Sequence, residues 1–219
     1  MDLNTSKTLG GIGAILLLVG IFPYINYFGL LDIIGIILVL IALHDFSSYY
    51  KENGIFNNAM YGVFAGIVGI VIAAVIGIAI VLPNITSFLE KLYPNWNGSW
   101  STISSLSGMT PVTSNITFKD VEPFIAAAIA IVAVLWIFAI IAAIFVRRSL
   151  SQVSSKTSVG MFSTAGLVFL IGAALTIVIV GLIVIWIAAL LLAIAFFTTT
   201  PQQQQPPTAT PVSPPATTT

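Results

Sequence analysis

Two stretches of the chain, Ala59 to Leu82 and Pro123 to Val146, carry no charged residue and no regular alternation of apolar and polar positions. A helix crosses a hydrocarbon layer of about 30 Å in about 20 residues, since each residue rises about 1.5 Å. Both stretches suffice for one crossing, and in lipid only helix hydrogen bonds satisfy their backbone groups. The tract before them is interrupted. Leu9 to Phe22 and Phe28 to Leu43 are each short for a span, and Pro23-Tyr24-Ile25-Asn26-Tyr27 between them reads as a turn at headgroup level. This pattern predicts a helical hairpin over 9–43, with a re-entrant pair that only dips into the membrane as the alternative.

The last apolar tract, Val159 to Phe197, would extend about 58 Å as one helix, roughly twice the hydrocarbon thickness. At one constant offset Leu18 meets Leu170, Gly20 meets Gly172, Gly29 meets Gly181 and Leu30 meets Leu182, with Leu38 and Leu40 meeting Leu190 and Leu192. This weak internal similarity predicts a second hairpin over 159–197, turning near Val178 to Gly181. The fold class is therefore all-α, a polytopic transmembrane helical bundle of six spans, or five if the last tract crosses once.

Charge orients the bundle. Lys7, Lys51, Arg147, Arg148 and Lys156 fall on one side of a six-span chain, and Lys91 and Lys119 on the other. The positive-inside rule puts the N-terminus (1–8), an interfacial loop (44–58) and a basic loop (147–158) in the cytoplasm, and the 83–122 loop outside. That outer loop carries three glycosylation sequons, at Asn84, Asn97 and Asn115; Asn4-Thr5-Ser6 also matches but falls inside. Lys7 before an apolar run has the outline of a signal peptide, but no small-x-small cleavage pattern follows, so the run is read as a retained span. The tail, 198–219, is uncharged and rich in Thr, Pro and Gln, a composition that predicts disorder. Six spans leave this tail inside, whereas a Thr/Pro stalk suits O-glycosylation outside.

Composition agrees with a lipid solvent. The chain is 58% hydrophobic and 6% charged, with a mean hydropathy of +1.09, against about 25% charged residues in a soluble domain. A net charge of zero and scattered basic residues exclude a nucleic-acid face. Without cysteine there are no disulfides, thiolate metal sites or cysteine nucleophiles. The expected partners are the lipid bilayer and either a second copy or another membrane protein, with no nucleic acid.

Asp32 is the one ionisable residue inside an expected span. A carboxylate at the bilayer centre costs roughly 2.5–3.5 kcal/mol, so an ion or proton site is one reading. The favoured one is a helix start near the outer interface, four residues after Phe28. His44-Asp45 has the elements of a base or metal ligand, but no second ligand cluster accompanies the single histidine. Phe46, Tyr49, Tyr50, Ile55 and Phe56 interleave with polar residues around Gly54, read as a stop; an interfacial anchor is favoured over partner docking. Gly62, Gly66, Ala73 and Gly77, with Gly69 nearby, allow close helix approach, as do Ala126-x-x-x-Ala130 and Ala139-x-x-x-Ala143; internal packing is favoured over dimerisation. Gly10, Gly11 and Gly13 follow no strand and precede no P-loop lysine, so they are not a phosphate cradle. In the outer loop Trp100, Ile103, Leu106, Met109 and Val112 recur at every third position, a period that fits neither strand nor helix well; the loop is read as covering the bundle's outer rim, or as a binding surface for an outside partner.

Enzyme classes fail by inventory: there is no second intramembrane carboxylate, no histidine within the spans and no HExxH motif. No catalytic residue, cofactor or metal is expected.

The segments LGGIGAILLLVG, LDIIGIILVLIAL, SSYYKENGIFNNA and LIGAALTIVIVGLIVIWIAALLLAIAFF resemble a family of archaeal membrane proteins, domain of unknown function 996. The resemblance covers Leu9 to Phe197 and is most specific from Tyr49 to Asn57. It implies a polytopic fold in a prokaryotic plasma membrane, and supplies no activity or site residues. The expected function is a non-enzymatic structural or partner-binding role; the alternative is a small channel or transporter using Asp32.

Overall fold

The long apolar runs are helical, the last one as two helices, and at 9–43, 59–82 and 123–146 the helix extends past the run. The structure, a computed structural model, describes residues 2–22, 26, 29–178 and 180–200. Its α-helices are α1 (Leu3–Gly20), α2 (Leu30–Tyr50), α3 (Asn53–Leu92), α4 (Phe118–Thr157), α5 (Gly160–Leu175) and α6 (Val180–Thr198); there is no strand among the described residues. Six helices, counting α5 with the 3-10 turn Thr176–Val178, are long and apolar enough to cross a membrane. The expected turn at 23–27 (apart from Asn26) and the tail beyond Thr200 lie outside the described residues.

Several expected loops are helix. α2 continues through His44 to Tyr50, so Gly54 is not a stop but lies in the first turn of α3. The stop is Lys51, at φ 53 in the left-handed region, with the Glu52 amide donating back to the Ser47 carbonyl at 2.9 Å. α3 passes through Pro83 to Leu92, and α4 runs on to Thr157, so most of 147–158 is helical and Ser158-Val159 alone joins α5. An apolar run marks where lipid contact ends; the helix goes on as long as its polar residues can still hydrogen-bond in register.

Consecutive helices are antiparallel. α1 packs on α2 and α6, α5 on α6 and α4, and α3 on α4 and α2, which closes a ring. α3 and α4 have 40 residues each, about 60 Å, against 16 to 21 residues in the others. All six meet at one end, here the basic end, where Lys7 Nζ donates to the Thr199 carbonyl at 3.1 Å. Residue 199 therefore lies on the same side as the start of α1. At the opposite end, the loop end, only the α3/α4 hairpin and the segment 93–117 continue.

Candidate functional site

The hydrophobic core gathers at the basic end. Phe46 of α2, Phe162 of α5 and Phe196 of α6 are each 0% exposed. Their ring centroids lie 5.1–6.4 Å apart, two of the three contacts being edge-on. Leu3, Ile55, Leu150 and Val153 belong to the same cluster, so every helix contributes an end. Two buried hydroxyls here are hydrogen-bonded, Ser149 Oγ donating to the Ile55 carbonyl at 2.6 Å and Ser6 Oγ to Asp45 Oδ2 at 2.6 Å, whereas the buried Tyr50 hydroxyl and Gln152 Oε1 have no partner among the described residues. Lys156 and Glu52, 3.2 Å apart, link the two turns of this end. His44 is 59% exposed in its side chain, packs edge-on to Phe56 and stands 3.7 Å from Asp45. No group of three His, Cys, Asp or Glu side chains suited to a metal occurs among the described residues.

Asp32 sits in the first turn of α2, half-buried. Asn26 Nδ2 donates to Asp32 Oδ2 at 2.7 Å and to the Gly20 carbonyl at 2.8 Å, while Asn26 Oδ1 accepts the Leu31 amide at 3.0 Å. Gly20 is buried against the same carboxylate, where a Cβ would collide with it. The three residues close the α1/α2 hairpin. Asn26 was legible in the sequence only as part of a turn.

The glycines serve helix contacts, though not in the expected pairs. Gly62 lies against Val146 and the Ala142 carbonyl, Gly69 against Phe138 and Gly77 against Ile131, with Ala73 buried between them. Gly66 faces open space, so Gly62-x-x-x-Gly66 is not the contact pair; the seam runs through Gly62, Gly69, Ala73 and Gly77. On α4 the buried alanines are Ala127 and Ala143, whereas Ala126 is exposed. Gly13 of α1 and Gly35 of α2 face each other's carbonyls, and Gly10 abuts the Phe196 ring.

At the loop end the third-residue period has a simple origin. Trp100–Gly108 is a 3-10 helix, whose three residues per turn put Trp100, Ile103 and Leu106 on one face. Trp96 is buried beside Trp100 and donates to Thr102 Oγ1 at 3.1 Å. Of the sequon residues, Asn84 lies inside α3 with its Nδ2 donating to the Ile80 carbonyl, whereas Asn97 and Asn115 are exposed in the 93–117 segment. Lys91 and Asp120 form an ion pair across the α3/α4 ends, and Asp120 also accepts from the Thr117 amide at 2.9 Å and hydroxyl at 2.8 Å.

The Lys91 ammonium first, then these two Thr117 donors, hold the Asp120 carboxyl down to about 2 from an ordinary 3.8. A carboxyl with a depressed folded-state pKa stabilises fully above its unfolded value, and that contribution fades as pH falls through the folded one. Protection of the Leu89–Leu92 and Phe118–Val121 amides, taken relative to their intrinsic exchange rates, is therefore expected to fall between pH 3.8 and about 2 in the parent. Asp120→Asn removes that pH step, and the basic end is unaffected in both.

A family model described as Protein of unknown function (DUF996) matches residues 31–190. An uncharacterized protein of Methanocaldococcus jannaschii is 32% identical over 189 residues, covering 86% of this chain and 88% of its own length. No solved structure matches the chain.

Proposed function

The chain belongs to DUF996, a family of proteins of unknown function, and from that premise we propose a non-enzymatic structural or partner-binding role in an archaeal plasma membrane. The observation that carries the proposal is where the polar groups lie. Among the described residues the buried polar side chains are Ser6, Ser47, Ser149, Thr157 and Thr199, all at the basic end. Asp32 is engaged by Asn26 in closing a hairpin rather than facing a file of polar groups. What this arrangement supports is a rigid base that anchors the α3/α4 hairpin and displays the 93–117 segment at its far end. The excess of Lys and Arg at the base supports a cytoplasmic N-terminus. Asn97 and Asn115 are then the glycosylation candidates, since a helical Asn84 with its amide occupied suits the modification poorly.

A channel or transporter is the second reading, favoured by one observation, the half-buried carboxylate of Asp32 in an apolar hairpin. Liposomes holding the purified full chain separate the two. Proton and potassium leak equal to that of empty vesicles, unchanged by Asp32→Asn, is expected. A flux that Asp32→Asn abolishes would replace the scaffold with transport.

A further inference from the structure

Length and composition would let each of the six helices cross a bilayer, but their register does not let all six do so at once. Gly166 of α5 lies against the backbone of Arg147, and Trp136 Nε1 of α4 reaches the Ala174 carbonyl at 3.0 Å. The α5/α6 turn is thus level with the part of α4 near Leu135. Only Lys51-Glu52 separates α2 from α3, so Leu30, at the far end of α2, is level with about Ala73 of α3. Because Gly69 meets Phe138 and Gly77 meets Ile131, Ala73 and Leu135 are themselves level. Both turns therefore stop at one height. From Arg147 to that height α4 rises about 18 Å, and the uncharged run Leu135 to Pro123 continues about 18 Å beyond. The turns stand near the middle of a layer of hydrocarbon thickness, and tilting the molecule shortens both parts alike.

The helix-end carbonyls at the turns are satisfied for such a depth, and Asp32, which this register sets at the same depth and not at the outer interface, keeps Asn26 as its hydrogen-bond donor. Helix C-termini leave carbonyls unpaired, and away from water the protein itself must satisfy them. The Leu18 carbonyl accepts Trp186 Nε1 at 3.1 Å and the Gly20 carbonyl Asn26 Nδ2 at 2.8 Å. The Ala173 carbonyl accepts Thr176 Oγ1 at 2.7 Å, and the Ala174 carbonyl Trp136. Around these bonds Ile177, Val178 and Val180 point outward, more than half exposed. A bilayer fitted to the short helices instead would leave Val75, Ile78, Leu82 and Ile129 in water and draw Arg147 towards the hydrocarbon.

We propose that α1/α2 and α5/α6 are re-entrant hairpins that turn inside the hydrocarbon, and that acyl chains of the loop-side leaflet cover the ledge above their turns. Two apolar hollows mark that ledge. One of about 540 Å³ is lined by residues including Ile70, Ala73, Gly77, Ile78 and Val81, and one of about 300 Å³ by Ile21, Phe22, Leu182, Ile183 and Trp186. Both continue the exposed apolar belt around the bundle, which is why lipid, rather than a second copy of the chain, is the occupant.

The natural sequence lacks cysteine, so single cysteines report cleanly. Ile21→Cys, Ile177→Cys and, as a control, Ser104→Cys are made in the full chain in phosphatidylcholine vesicles and exposed to a charged, impermeant maleimide. Only thiolate reacts, so the two turn positions are expected to label at least about tenfold more slowly than Ser104→Cys from either side. A nitroxide at Ile177→Cys is expected to collide more with oxygen than with an aqueous nickel complex. Labelling of Ile177→Cys from the loop side at the Ser104→Cys rate overturns the re-entrant hairpins. A nitroxide at Ile78→Cys is expected to show no dipolar broadening. Broadening between copies overturns the lipid occupant.

Discussion

Phe196→Ala is expected to lower stability by about 3–5 kcal/mol, read as the shift of the denaturant midpoint in mild detergent. Phe196 is fully buried, touches both other rings of the triad and fills the hollow left by Gly10 of α1. Truncation removes apolar burial and leaves a cavity walled by four helices that are fixed to one another. The position matters as much as the volume. Phe162 precedes Gly166, which is level with Arg147, so the triad lies on the charged side of the apolar belt, where the competing solvent is water. Within lipid, apolar side chains gain little by leaving the solvent, because acyl chains are as apolar as leucine. Ile78→Ala, at a residue 59% exposed on α3, is accordingly expected to shift the midpoint by under about 0.5 kcal/mol. Equal losses at the two positions would mean that the triad is not the core. Gly10→Ala tests the same contact from the other side: its Cβ would collide with the Phe196 ring, so in combination with Phe196→Ala it should destabilise less than the two changes summed.

That core was the least legible part of the fold. Uncharged runs such as Ala59 to Leu82 locate helices because lipid tolerates no unpaired backbone, but they locate neither helix ends nor helix heights. Phe46 reads as an interfacial anchor in the sequence, and nothing marks Phe162 or Phe196 among fourteen phenylalanines. They become a cluster only when three helix ends are brought together. Trp136 and Trp186 are equally silent, since an indole donating to a foreign carbonyl has no local pattern. The third-residue period, which pointed to no element in the sequence, is over Trp100, Ile103 and Leu106 that of a 3-10 helix, while Met109 and Val112 continue it past the helix end. The internal offset was half informative. It aligns Gly29 with Gly181 and so finds two hairpins, yet Gly29 is needed for its φ of 71, with open space around it, whereas Gly181 is needed for room.

Gly181→Ala carries the second large effect, a loss of about 3 kcal/mol or more. A Cβ at Gly181 would lie well inside contact distance of the Thr176 nitrogen, the Gly172 carbonyl oxygen and the Leu175 carbonyl carbon. All three are backbone atoms, so no rotamer change relieves the clash; the turn must open or α5 and α6 must part. Parting is costly here because Gly172 is packed in return on the Gly181 carbonyl and Ile185. It would also pull Thr176 from the Ala173 carbonyl and Trp136 from the Ala174 carbonyl, leaving acceptors that no water at that depth would satisfy. Gly66→Ala makes the same chemical change on α3 where a Cβ meets nothing within 4 Å. With the helix propensity of alanine in its favour, it is expected to leave stability unchanged or raise it by up to about 1 kcal/mol. A Gly181→Ala midpoint as close to the parent as that of Gly66→Ala would mean that α5 and α6 do not meet backbone to backbone, and the common height of the two hairpin turns would lose its anchor on this side.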